Sequence, residues 1–378
     1  MARVAAQLSN FTAGELSPRL DGRNDLAKYS AGCATVENMV IYPHGAAARR
    51  PGTTYVAEVR DSSKSTRLIP FEFSTTQTYI LEFSDQKIRF YRDNGQILSS
   101  GSPYEITSPY LEAELFDIKF AQSADIMYIT HPSHKTRKLS RTGHTSWTLA
   151  EVDFTNGPFL DSNITSTTLT PSAAGTGSRT ITASAVTGIN GGSGFLTTDV
   201  GRQIHFNDGY GTITARTNTT VVTVNVTTAF ANTNAITNWF LGAFSDTTGH
   251  PACVTFFEQR LVFAATLNNP QTVYLSKSGD YENMDANIGG TVADDDAIIY
   301  TIASNQVNAI RFLASTRTLI IGTAGGEFAV TGGGDNNAIT PTNIMIKKQS
   351  NHGAANVDGI SVGNATLFLQ RAKRKIRE

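Results

Sequence analysis

The sequence RLIPFEFSTTQTYILEFSDQKIRF, residues 67–90, holds three short apolar runs separated by polar pairs. Similar frames occupy residues 116–139, 252–275 and 308–330. In each frame a strand ends in a small polar turn, a very apolar strand follows, and a third strand closes the unit. Short, evenly spaced strands with turn signals between them are typical of all-β folds. We therefore predict an all-β protein.

The spacing of these frames indicates a repeat. The first two begin 49 residues apart and the last two begin 56 residues apart. The middle gap also contains residues 160–250, which include no Lys and no Glu; without this foreign stretch the gap shrinks to 45 residues. A period of about 45–55 residues is typical of β-propeller blades. We predict a propeller-like platform, and a set of unrelated antiparallel hairpins is the alternative.

Four regions follow from this pattern. Residues 1–60 are predicted to form an extended N-terminal arm with little core of its own. Residues 61–159 are predicted to hold the first blades and residues 251–378 the second group, for which an incomplete set of blades is the alternative. Residues 160–250 are predicted to form an inserted small β-barrel or sandwich, with a strand at residues 221–226 and with Trp239 and Phe240 closing it.

Composition excludes several functions. Of 378 residues, 17% are charged, and 31 Lys and Arg against 32 Asp and Glu leave a formal net charge of −1. A dedicated nucleic-acid binder usually has a basic excess, as does a polybasic membrane-surface protein. No run of about 20 apolar residues occurs, so no membrane span is expected. Cys33 and Cys253 lie far apart and are expected to be two buried thiols from a reducing cytosol.

Candidate chemical residues are few. His131 and His134 lie close in sequence, but no acidic residue or cysteine follows at ligand spacing, so a polar turn is the expectation over a metal site. The run 294–296, three aspartates, is interpreted as a turn before a strand at 297–302, with Ca²⁺ binding as the alternative.

Two further patterns contain residue types that are found in active sites. Glu112 and Glu114 are predicted on one face of a strand, where paired carboxylates could serve a glycosidase but more commonly face solvent. The glycine-rich stretch 322–327 is predicted to be a tight hairpin. We predict no catalytic, cofactor-binding or metal-ligating residue, and no enzymatic activity.

The opening of the chain resembles a known family. The stretches NFTAGELSP (10–18), GRND (22–25) and RRPGT (49–53), with Tyr29, Gly32 and Asn38 between them, resemble the tail nozzle proteins of short-tailed bacteriophages, also called tail tubular protein B. Further similar stretches are residues 249–263, 276–280, 295–298, 322–327 and 367–378. The last of these resembles an internal segment of the family, so we expect this chain to be a C-terminally truncated member.

The resemblance implies a structural virion protein, made in the bacterial cytoplasm, that forms a homo-hexameric ring at the distal end of a short tail. Such a ring docks on an adaptor (gatekeeper) ring, neighbours the tail fibres and closes the DNA channel before genome ejection. A basic lumen would hold DNA through counterion release, so a nearly neutral chain suits transient DNA passage.

Ring closure needs heterologous subunit interfaces, and the arm is predicted to strap across one. Candidate contact residues are Glu15, Arg23, Arg49 and Arg50, and a phosphate contact is the alternative for the two adjacent arginines. Two other functions stay open. A glycan-binding tail adhesin would use exposed aromatic residues of the insert, for which Tyr210, Trp239 and Phe240 are the candidates. A propeller-fold glycan hydrolase would need convergent carboxylates in a central pocket, and no such pairing is visible.

Overall fold

The computed structural model describes residues 8–303, 308–333, 337–363 and 365–378. In this part of the chain the regular structure is β-strand, and the helical elements are single 3₁₀ turns of three residues each. The all-β prediction is confirmed. These turns are Pro18–Leu20, Tyr29–Ala31, Glu112–Glu114, Asn190–Gly192 and Thr197–Asp199. Within the described ranges, no helix has the length and apolar character needed to cross a membrane.

The chain divides into two compact units, Met1–Ala57 and Glu58–Glu378.

The larger unit contains antiparallel sheets in which the strands follow one another in chain order. Sheet 1 contains Arg67–Ser74, Gln77–Ser84, Lys87–Arg92 and Glu105–Thr107, with Gly95–Gln96 paired to its third strand. Sheet 2 contains Lys119–Ser123, Ile126–His131, His134–Gly143 and Ser146–Glu151. Sheet 3 contains Cys253–Phe257, Arg260–Ala264, Thr272–Leu275 and Ile298–Thr301. Sheet 4 contains Ile310–Ser315, Leu319–Thr323, Gly326–Thr331 and Met345–Ser350. The four repeated frames of the sequence correspond to the first three strands of these sheets.

The sheets pack face to face in chain order, because their inner strands are apolar on both faces. In sheet 2, Met127 and Ile129 face a core shared with sheet 1, whereas Tyr128 faces a core shared with sheet 3. In sheet 3, Phe263 faces sheet 2 and Val262 faces sheet 4. Successive side chains of a strand point to opposite faces, so each apolar run supplies two cores. The first strand of sheet 3 contacts the first strands of sheets 2 and 4, as inner strands do in a propeller.

A final small sheet follows sheet 4. Its strands are Ile360–Val362, Ala365–Leu369 and Ile376–Arg377. Phe368 of this sheet packs with Phe312 of sheet 4, with ring centroids 5.9 Å apart. The propeller-like stacking therefore continues past sheet 4.

The insert forms one antiparallel sheet with its own core. Its order is Leu169–Pro171, Gly177–Ala183, Val221–Thr228, Gly209–Arg216, Gln203–Phe206 and Trp239–Leu241. Leu169 and Ile236 exchange two backbone hydrogen bonds of 2.9 and 3.0 Å, which join the sheet's edges into a small barrel. Asn207 and Asp208 have positive φ and form a two-residue hairpin turn.

The smaller unit is built from short pairs of extended segments. Gly14–Glu15 pairs with Gly32–Cys33, and Met39–Ile41 pairs with Ala47–Arg49. Among described residues 8–57, Gly45 is the one buried residue. This segment therefore has no hydrophobic core of its own, as the sequence indicated. The exact boundaries at residues 60, 160 and 250 stay predictions.

The two cysteines differ in environment. Cys253 is buried in the core between sheets 3 and 4, and burial raises the pKa of its thiol. Cys33 is only half-buried. The expectation of two buried thiols is therefore wrong for Cys33, because the smaller unit has no core in which to bury it.

Candidate functional site

The smaller unit is the candidate interface, since it leaves apolar side chains in solvent. Tyr55 is 80% exposed, the most of any large apolar side chain described in this unit. Met39 and Val40 lie on a hairpin strand and are also exposed. Isolated exposed apolar residues are ordinary, but a segment that exposes them and buries no side chain gains no stability from a hydrophobic core. The further exposed members of this set are Leu8, Tyr42 and Val56.

Two of the four predicted contact residues bind within the unit. A Glu15 carboxylate oxygen accepts the Val36 backbone N–H at 2.9 Å. Arg23 donates two hydrogen bonds to the Asp25 carboxylate, at 2.7 and 2.6 Å. The hydrogen bond from Arg23 holds the pKa of Asp25 below its ordinary value. Arg23 therefore stabilises a local turn, and Glu15 connects two segments of the unit that are distant in the chain.

Arg49 and Arg50 lie at the end of a hairpin. Arg50 Nε donates to Asn38 Oδ1 at 2.8 Å, and the Arg50 N–H donates to the Asn38 carbonyl at 3.0 Å. Arg49 is exposed at the end of the strand Ala47–Arg49. Among the described residues, its side chain forms no hydrogen bond or ion pair. Of the two arginines, Arg49 is the one available to a partner.

The aromatic residues of the insert do not form a sugar-stacking surface. Trp239 is 3% exposed and its indole N–H donates to the Thr167 carbonyl at 2.9 Å. Phe240, on the other face, packs with His205 at 5.8 Å between ring centroids. Tyr210 is half-buried. The prediction that Trp239 could stack on a glycan is wrong, because its ring is part of the barrel core.

The acidic run 294–296 is held by cationic side chains. The Arg260 guanidinium donates to the carbonyls of Asp294, Asp295 and Asp296. The Lys277 ammonium lies 2.8 Å from Asp296 Oδ1. The run is thus a structural turn before the strand Ile298–Thr301, as the sequence indicated. Residues 322–327 likewise form the expected hairpin between two strands of sheet 4.

Glu112 and Glu114 belong to a 3₁₀ turn and not to a strand, which corrects the prediction for this pair. Glu114 Oε2 accepts the Leu111 backbone N–H at 2.8 Å, and this hydrogen bond closes the turn. The same oxygen lies 2.8 Å from His134 Nε2. The turn therefore brings a carboxylate to the two histidines.

Glu114, His131 and His134 form a compact cluster of donor atoms. One potential ligand atom from each lies within 4.8 Å of the others. Burial lowers the pKa of His131. Burial alone would raise the pKa of Glu114, but the Leu111 N–H and His134 together hold it below its ordinary value. Among the described residues, those that follow the histidines offer no third potential ligand, as the sequence indicated, and Glu114 precedes them along the chain.

The insert contains a buried ion pair that the sequence did not indicate. Arg202 Nη1 lies 2.9 Å from Asp199 Oδ1, and both side chains are almost completely buried. Asp199 also accepts hydrogen bonds from Asn190, Leu196 N–H and Thr247. The sequence did contain a signal for this pair, since Asp199 and Arg202 are among the few charged residues of this low-charge stretch.

No protein-family model matches the chain, and no curated protein sequence does. Among solved structures, the endosialidase of phage phi92 is similar at 11% identity and a TM-score of 0.26, over 78% of this chain. The chain spans 48% of that endosialidase's length. The WD40 repeats of RRP9 match at 12% identity and a TM-score of 0.24, over 83% of this chain and 89% of theirs. YCF48 bound to a D1 peptide matches at 14% identity and a TM-score of 0.21, over 76% of this chain and 90% of its own. Similarities this low assign the chain to none of these families, and the fold class depends on the sheets described above.

Proposed function

We propose that this chain is a structural component of a bacteriophage short tail and forms the distal nozzle ring through which genome DNA is ejected. The observation that carries the proposal is the character of the smaller unit. Residues 10–53, which resemble the opening of tail nozzle proteins, belong to a segment that buries no side chain among its described residues. A segment of this kind gains stability by lying against another chain.

A ring of identical subunits supplies such a surface. In a closed ring each subunit presents one face to its neighbour and receives a different face from the other side. An arm that exposes Tyr55, Met39 and Val40 can then bury apolar area on the adjacent copy. At about 25 cal/mol per Å² of apolar surface, even a small strap adds several kcal/mol over its length.

The larger unit supports the same proposal. Its stacked sheets share successive cores, and in this proposal they are the platform on which an adaptor ring and fibres dock. The nearly neutral charge of the chain favours a conduit that DNA crosses without being retained. In this proposal the partners are further copies of the chain, the adaptor ring, the fibres and transiently passing DNA, and the protein has no catalytic role and resides in the virion.

The glycan-binding alternative receives no specific support. It required exposed aromatic residues on the insert, and Trp239 is in the barrel core. We therefore make no second functional proposal.

The deciding experiment is immunogold electron microscopy of particles from a lysate that produces this protein. An antibody to the purified chain should label only the free end of a short tail. Label on lateral fibres, or antigen free in the lysate with unlabelled particles, would contradict the proposal. Particles lacking this protein serve as the control for antibody specificity.

A further inference from the structure

Three metal-binding side chains converge where the chain passes from sheet 1 to sheet 2. We propose that Glu114, His131 and His134 bind one divalent transition-metal ion of the Zn²⁺ class. This inference is independent of the tail assignment, because it depends only on side chains within the larger unit.

The hairpin of sheet 2 sets the positions of both histidines. His131 ends one strand, His134 begins the next, and the two residues are directly paired across the turn. Directly paired residues of an antiparallel hairpin project to the same face. Their imidazole centroids are 5.0 Å apart. Glu114 approaches this pair from the 3₁₀ turn Glu112–Glu114.

The donor atoms are near enough to one another to share one ion. Metal–ligand bonds of about 2.0–2.1 Å place tetrahedral ligand atoms about 3.3 Å from one another. The cluster's donor atoms are all within 4.8 Å, and Glu114 Oε2 and His134 Nε2 are 2.8 Å apart. Side-chain shifts of about 1 Å or less would bring the three donors to the required spacing.

Binding gives up few existing interactions. The ion would replace the hydrogen bond between Glu114 and His134. The Ser133 N–H donates to His131 Nδ1 at 3.2 Å, and coordination through either ring nitrogen gives up this long hydrogen bond. Coordination of Zn²⁺ by a neutral imidazole or an ionised carboxylate is stronger than either of these two hydrogen bonds.

The surroundings resemble those of a supported metal site. The Leu111 N–H holds the Glu114 carboxylate in place, as outer-shell hydrogen bonds do for metal ligands. The buried Tyr110 ring lies edge-on to His134 at 5.3 Å between centroids. Among the described residues the buried Tyr110 hydroxyl has no hydrogen-bond partner, so a residue next to the cluster has an unsatisfied polar group. Glu114 and His134 keep partial exposure, so an ion and a fourth ligand could enter from solvent.

The donor set selects the class of ion. Two imidazoles and one carboxylate suit Zn²⁺, Co²⁺ or Ni²⁺, whereas Ca²⁺ and Mg²⁺ prefer oxygen ligands alone. A bound ion would fasten the connection between sheets 1 and 2 to the hairpin turn of sheet 2. The same turn accepts the His250 N–H through the Pro132 carbonyl, where the chain returns from the insert. The ion would thus stabilise a junction of three chain segments.

The test is titration of the chelator-treated full chain with Co²⁺, followed by visible absorption. We expect one equivalent to give the strong bands of a four-coordinate ion and Zn²⁺ to abolish them. Glu114→Gln and His134→Gln should each weaken binding at least about tenfold. His352→Gln, at an exposed histidine outside the cluster, should bind like the wild type.

Thermal unfolding guards against variants that fail to fold. At the same concentration, Zn²⁺ should raise the Tm of the wild type and of His352→Gln more than that of Glu114→Gln. A wild-type chain that yields only the spectrum of hydrated Co²⁺ would overturn the proposal. So would folded Glu114→Gln and His134→Gln variants with wild-type affinity.

Discussion

The Lys119 ammonium nitrogen lies 2.9 Å from Asp358 Oδ1, and it also donates a hydrogen bond to the Arg311 carbonyl. Lys119 is in the first strand of sheet 2, Arg311 is in the first strand of sheet 4, and Asp358 precedes the final sheet. The Lys119 side chain is only 7% exposed. One cation therefore connects three separate parts of the propeller-like stack.

Lys119→Met should destabilise the larger unit by about 2 kcal/mol. Removal of one partner of a buried pair typically costs 3–5 kcal/mol, and the half-exposed Asp358 carboxylate lowers this figure because water can solvate it. The free energy of unfolding in urea measures the effect. Lys135→Met removes a comparable but exposed ion pair with Glu151 and should cost at most about 1 kcal/mol. Equal losses in the two variants would show that burial of Lys119 is not energetically important.

The Asp199–Arg202 pair should show strong coupling. Arg202→Met leaves a buried carboxylate with a missing donor and should cost about 3 kcal/mol. Asp199→Asn removes the charge and keeps one of the two acceptor oxygens, which now serve the Leu196 N–H and the Thr247 hydroxyl separately. In a double-mutant cycle on unfolding free energies, the combined variant should lose about 0.5–3 kcal/mol less than the sum of the single losses. Strict additivity would mean that the two charges stabilise the barrel separately.

Acidification should destabilise the protein through buried histidines. Burial lowers the pKa of His205, against the opposing influence of Asp285 and Asp208. The unfolded imidazole has a pKa of about 6.5, so as pH falls below that value the unfolded state takes up the proton first. Stability is therefore fully present above about pH 6.5 and is lost towards the lower folded-state pKa, at about 1.4 kcal/mol per unit of difference.

Urea unfolding at pH 7.5 and pH 5.5 tests this expectation. His205→Gln cannot titrate and should narrow the stability difference between the two pH values. His250 should retain its own contribution in this variant, since burial is the largest influence on its pKa, which is lowered despite Asp246. A variant with the full wild-type pH dependence would exclude His205 as a source.

The strands were predictable because their signal is local. Alternation within residues 67–74 places Ile69 and Phe71 inside and Leu68 and Glu72 outside, and this pattern is readable from the sequence alone. The insert was visible as a change in charge. The closure of its barrel was harder to predict, because it depends on the Leu169–Ile236 pairing between segments far apart in the chain.

The side-chain clusters required tertiary structure. The spacing of Glu112 and Glu114 fits a strand face, but the hydrogen bond from Leu111 N–H to Glu114 favours a 3₁₀ turn. That turn points the carboxylate at His134, a contact that no spacing rule between the histidines could reveal. Trp239 was expected as a closing residue and also considered for sugar binding, and only its burial separates the two roles.

Ring assembly should depend on Arg49 more directly than on Arg23. Arg23 is engaged by Asp25 within its own unit, whereas Arg49 presents its charge to solvent at the end of a hairpin strand. If Arg49 meets an acidic group of the neighbouring subunit, Arg49→Glu converts attraction into repulsion at every interface of the ring. We expect at least a tenfold higher concentration for half-assembly, equivalent to about 1.4 kcal/mol per interface. Mass photometry of the full chain over a concentration series provides the measurement.

Arg19→Glu is the control, since it makes the same charge change at another exposed residue of the unit and should assemble normally. Normal assembly by Arg49→Glu would show that Arg49 is not an interface residue, because a reversed charge repeated at every contact of the ring would weaken assembly.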